Sequence, residues 1–117
     1  MIGGEVSRVL LIGFMGAGKT EVGKALADSL GWHFSDFDQV VELDAGETIA
    51  QIFDKEGEVG FRRREADVGR RLLAEPEVVL ATGGGWASEE GRVRAVPPGT
   101  VTVWLDVTAP EALRRTR

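Results

Sequence analysis

The eight residues GFMGAGKT (13–20) constrain this chain more than any other stretch. They complete the pattern G-x-x-x-x-G-K-[ST] between two segments of different periodicity. Before them, RVLLIG (8–13) is a nearly continuous apolar run ending in glycine, which fits a strand buried on both faces. After them, KTEVGKALADSLG (19–31) repeats Val22, Ala25, Leu26, Ser29 and Leu30 at helical spacing, and Gly31 sits where a C-cap glycine belongs. A glycine-rich turn between strand and helix is a phosphate cradle. Gly13, Gly16 and Gly18 let backbone N–H groups turn inward without side-chain clashes, and Met15 and Ala17 lie in the same loop. Lys19 adds a point charge for the β- and γ-phosphates, and the Thr20 hydroxyl is a ligand for Mg2+. A glycine-rich turn with an exposed lysine is the competing reading, and the strand–loop–helix setting weighs against it.

The same alternation continues along the chain. WHFSDF (32–37) reads as a second strand, and QVVELDAG (39–46) as a short helix stopped by Gly46. Thr48 stands as N-cap for IAQIFDKEG, with Ile49, Ile52 and Phe53 on one face, and EVGFRRREADVGRRLLAE (58–75) is a longer helix. EVVLATGGG (77–85) repeats the strand-then-glycine theme. SEEGRVRAV (88–96) is a further helix, closed by Pro97, Pro98 and Gly99. TVTVWLDV (100–107) is a fourth strand, and APEALRRTR opens a helix with Pro110 near its first position. Strands that alternate with helices pair in parallel through crossovers. The expected fold is an α/β protein, a three-layer α/β/α sandwich with a mostly parallel sheet of the P-loop NTP hydrolase or kinase type. At 117 residues there is room for a single domain over 1–117. Because the final helix has barely begun at Arg117, that domain is expected to be incomplete at its C-terminus.

Composition narrows the chemistry. Nineteen acidic against fourteen basic residues leave a net charge of −5, the opposite of a nucleic-acid binder. With no cysteine and a single histidine, His33, thiolate nucleophiles and cysteine- or histidine-rich metal sites are excluded. No apolar run approaches the roughly 20 residues that cross a bilayer. MIGGEVSR lacks a signal-peptide profile, so the expected location is cytoplasmic.

In an open parallel sheet, ligands bind outside the carboxyl ends of the strands. The phosphate loop ends the first strand, Asp36 and Asp38 the second, and TGGG (82–85) the third, so all three face one crevice. Asp36 and Asp38 share a side if the strand runs through Asp38. Taken alone, the pair reads equally well as turn residues, with Asp38 capping the next helix. Beside Mg-ATP, one carboxylate could serve the metal and the other take a proton from a hydroxyl. On the helix after residue 58, Phe61, Glu65, Val68 and Leu72 form one stripe, which puts Glu65 on an apolar face. Arg62, three residues earlier, is within its reach and is suited to a small anionic substrate, whereas Arg63 and Arg64 read as a solvated face. TGGG offers backbone N–H groups to a carboxylate or a hydroxyl-rich ring. Trp32, Trp86 and Trp104 read as packing residues.

GFMGAGKT, DFD, GEVGFRRRE and TGGG, in that order and across nearly the whole chain, resemble the shikimate kinases. The resemblance implies ATP- and Mg2+-dependent phosphorylation of the 3-hydroxyl of shikimate, in aromatic amino-acid biosynthesis. It implies Asp38 as base and substrate ligand, Asp36 arranging Mg2+ through water, and Arg62 on the shikimate carboxylate, oriented by Glu65. Gly83, Gly84 and Gly85 would line the substrate, and Arg115 would pack near adenine. The family's mobile lid, second substrate arginine and last strand would all follow Arg117. Trp86 is bulkier than the small residue the resemblance leads one to expect there. A small molecule is the expected partner of a monomer, with neither nucleic acid nor membrane. The alternatives are another small-metabolite kinase, such as a gluconate kinase, and a non-catalytic nucleotide-binding remnant.

Overall fold

The computed structural model describes residues 6–13, 18–82, 86 and 91–105. Its elements are strand β1 (Arg8–Gly13), helix α1 (Lys19–Leu30), strand β2 (His33–Asp36), helices α2 (Phe37–Ala45) and α3 (Ile49–Leu73), and strands β3 (Val78–Ala81) and β4 (Thr100–Leu105). The four strands pair in parallel in the order β2-β3-β1-β4, so β1 lies between β3 and β4.

The continuous apolar run of β1 has two faces to satisfy, and each is covered. Leu10 and Ile12, with Val78 and Leu80 of β3, pack against Phe37 and Val41 of α2 and Ile52, Phe61, Val68 and Leu73 of α3. Val9, Leu11 and Val79 point the other way, onto Val22, Leu26 and Ala27 of α1. Period-two alternation along β1 therefore builds two cores on one sheet, the three-layer arrangement expected from the sequence. Leu10 and Leu11 are fully buried, and each contributes about 1.5–3 kcal/mol of apolar burial. Arg8, also buried, is satisfied by backbone: its Nε donates to the Glu75 carbonyl at 3.1 Å and its Nη1 to the Pro98 carbonyl at 3.1 Å.

Several boundaries differ from expectation. β2 stops at Asp36, because that side chain turns to cap the next helix, and α2 begins at once at Phe37 rather than at residue 39. The two helices expected over 49–57 and 58–75 form one run, α3, kinked at Gly57. Gly57 has φ 70° and ψ −175°, a conformation open almost only to glycine, so the run bends there without ending. Of the helix expected over 88–96, residues 91–95 form turns. The helix expected after residue 108 lies outside the described residues.

Candidate functional site

Parallel pairing aligns the carboxyl ends of three strands. Leu11 of β1 and Asp36 of β2 both register with Ala81 of β3, so Gly13, Asp36 and Thr82 emerge at one edge of the sheet. Thr82 is fixed there: its backbone N–H and its Oγ1 both donate to the Leu11 carbonyl, at 3.1 and 3.2 Å.

On the β1 side, Gly18 takes a left-handed conformation, φ 84° and ψ 21°, and starts α1 with no side-chain cap. A helix start without a side-chain cap leaves N–H groups for an anion. Lys19, the first residue of α1, folds back to donate to the Gly13 carbonyl. Burial lowers its proton affinity, and the negative charges of Asp38 and Asp36 raise it in part. Thr20 follows, half-buried, in the same turn. Met15, Gly16 and Ala17 lie outside the described residues.

The two aspartates are not a matched pair on a strand. Asp36, at the N-cap of α2, accepts through Oδ1 from the backbone N–H of Asp38 at 2.8 Å and of Gln39 at 3.4 Å. The capping role allowed for Asp38 thus falls to Asp36. Asp38 enters the first turn of α2, where its Oδ1 is buried and meets no hydrogen-bond partner among the described residues. Burial pushes its carboxyl up to about 6, helped by the charges of Asp36 and Glu65 and opposed by Lys19. Asp38, Lys19, Asp36 and Glu65 therefore form one electrostatic neighbourhood. Among the described residues no group of three or more acidic or histidine side chains could hold a metal alone. A hydroxyl with one or two carboxylates is instead the donor set for a hard cation carried on phosphates, which Thr20 and Asp36 fit.

α3 supplies the cationic side. Glu65 is fully buried, and its Oε1 accepts from Arg62 Nη1 at 3.0 Å, as the spacing of three predicts. Its Oε2 is buried without a partner among the described residues. The Arg62 guanidinium is half-buried, 5.3 Å over the Phe61 ring, with Nε 3.6 Å from Glu58 Oε2. Arg63 is exposed. Arg64 turns away in a bidentate pair with Glu56 at 2.9 and 2.7 Å, so the three consecutive arginines divide as their spacing requires.

Gly83, Gly84, Gly85 and Arg115 lie outside the described residues. Trp86 just past the glycines is buried, as a packing residue should be, while Trp104 is exposed. Arg92 was not anticipated. It approaches Glu65 Oε1 to 3.8 Å from the segment between β3 and β4. The one signal for it in the sequence is that a buried acid with two oxygens can take more than one cation.

A family model described as shikimate kinase matches residues 15–117. A curated relative, the shikimate kinase of Symbiobacterium thermophilum, is 49% identical over 105 residues, covering 90% of this chain and 60% of its own. The solved shikimate kinase of Acinetobacter baumannii in complex with shikimate superposes with a TM-score of 0.84 at 42% identity, over 95% of this chain and 62% of that one. The shikimate kinase of Bacteroides thetaiotaomicron gives a TM-score of 0.83 at 35% identity, over 93% and 62%. The chain thus spans roughly three-fifths of the length of these relatives. Motif order, strand topology and these matches agree, and the chain belongs to the shikimate kinase family.

Proposed function

We propose that this chain carries the nucleotide and acceptor sites for ATP-dependent phosphorylation of the 3-hydroxyl of shikimate. The observation that carries the reading is the half-buried Arg62 held at 3.0 Å by the buried Glu65, whose charge acts on Asp38 as Lys19's does. A guanidinium held by a buried carboxylate on one side presents its other donors to an anion, here the shikimate carboxylate. The family membership, and a relative solved in complex with shikimate, support that acceptor.

Each residue then has a role. The start of α1 and Lys19 receive the ATP phosphates, with the loop Gly13, Met15, Gly16, Ala17 and Gly18 wrapping them and Arg115 beside the adenine. Thr20, with Asp36 through water, would hold Mg2+, whose charge when bound offsets that of the phosphates. Gly83, Gly84 and Gly85 line the acceptor. The shikimate 3-oxygen forms the new bond to the γ-phosphorus, the bond to the β–γ bridging oxygen breaks to give ADP, and the hydroxyl proton passes to Asp38. A base whose pKa lies near neutrality transfers protons effectively in both directions, which suits Asp38 at about 6. The proposal includes a single domain working in the cytoplasm as a monomer.

The test is a coupled assay of ADP release with ATP and Mg2+, with shikimate, with gluconate and with no acceptor. Release that rises only with shikimate is expected. Release indifferent to shikimate, or stimulated equally by gluconate, would overturn the acceptor assignment.

A further inference from the structure

The Arg62–Glu65 pair is not closed within α3. Arg92 Nη1 lies 3.8 Å from Glu65 Oε1, the oxygen that accepts from Arg62 at 3.0 Å. Arg92 is anchored in turn on Trp86: its guanidinium lies 5.8 Å over the indole, and its Nη1 donates to the Trp86 carbonyl at 3.5 Å. Trp86 is 4% exposed. It meets Phe37 edge-on at 5.6 Å and 88°, and it packs so close to α3 that a Cβ on Gly69 would come within 2.8 Å of its Nε1. Phe37 sits in sequence between Asp36 and Asp38. A line of contacts thus joins the start of α2 to Glu65 through the segment after β3.

The consequence is geometric and electrostatic. With Arg62 alone, the Glu65 carboxylate would be tied to one half-exposed side chain of its own helix. A second guanidinium from another element fixes the carboxylate from outside. The shared oxygen also divides its charge between two cations, so Glu65 neutralises Arg62 less completely. We propose that Arg92, docked on Trp86, is a positioning residue of the acceptor site. It pins Glu65 from the β3–β4 side so that Arg62 keeps its direction and its charge for the carboxylate of the acceptor. This inference rests on the functional reading above.

Calorimetric titration of the chain with shikimate and with its methyl ester, which lacks the carboxylate charge, tests it. Arg92→Met is expected to weaken shikimate binding about tenfold and ester binding less than about twofold; Arg92→Lys should lose about two- to threefold for shikimate alone. A variant that merely loosened the fold would weaken both ligands alike, and that result, or no change in either, would overturn the inference while leaving the acceptor assignment standing. Wild-type chain that bound neither ligand would overturn the assignment itself and the inference with it. If circular dichroism shows Arg92→Met unfolded, Arg92→Lys decides: loss confined to shikimate supports the inference, and shared loss or none overturns it.

Discussion

Asp38 sits where burial and the charges of Asp36, Glu65 and Glu42 all favour its neutral form, and Lys19 pulls the other way. Its folded pKa of about 6 stands above the ordinary 3.8, so between those values the folded chain binds more protons than the unfolded one. Stability must therefore fall as pH rises through that interval and level off above it. Asp38→Asn removes the ionisation, and the ligand-free chain should gain stability on the order of 1 kcal/mol at pH 7.5, once solvent screening of the half-exposed side chain is allowed for. Thermal melts should show the gain shrinking toward pH 4, while shikimate-dependent ADP release falls at least about a hundredfold. Equal stability of the two proteins at pH 7.5 would argue that Asp38 is not strained by its surroundings. Asp38 was legible as a chemical residue, but its geometry was not. Period-two reasoning assumed that β2 continues, whereas an aspartate that can cap a helix ends the strand first.

At the level of elements, α3 carries Arg62 and Glu65, and its two ends are set by different means. Thr48 accepts from the Gln51 backbone N–H at 3.1 Å, as its place as N-cap predicts, and Gln51 Oε1 accepts from the Thr48 N–H at 2.8 Å, which makes the cap reciprocal. Thr48→Ala should cost about 1 kcal/mol in chemical denaturation. Two helices meeting at Gly57 were expected, yet here that glycine only bends one run. Any Cβ at that positive φ is strained, so Gly57→Ala should cost about 1–3 kcal/mol, and it should weaken shikimate binding by shifting residues 49–56 against 58–73. Gly57→Ala at wild-type stability would remove the strain argument. Of the stripe Phe61, Glu65, Val68 and Leu72, the first three are buried as their helical spacing predicts, while Leu72 is partly buried and Leu73 takes the core position; the Arg62–Glu65 pair was therefore legible in the sequence. Arg92 could not. It comes from a segment of turns with no periodic pattern, and its meeting with Glu65 depends on tertiary packing alone.

For the whole molecule, alternating strands and helices made the α/β class and the location of the crevice readable, since parallel strands put their carboxyl ends on one side. The order β2-β3-β1-β4 was not readable, because it depends on which crossover each connection takes, and local patterns are silent on that. That order brings the Gly13 end of β1, Asp36 and the Thr82 end of β3 together. No helix among the described residues is long and apolar enough to cross a membrane. The account as a whole rests on shikimate being held by Arg62 in this crevice. Calorimetric titration of shikimate into wild-type, Arg62→Ala and Arg63→Ala chains addresses it directly, because neighbouring arginines of like charge point to different places. Saturable binding should fall at least about tenfold in Arg62→Ala and stay within about twofold in Arg63→Ala. Equal losses in both variants, or no binding by the wild-type chain, would contradict it.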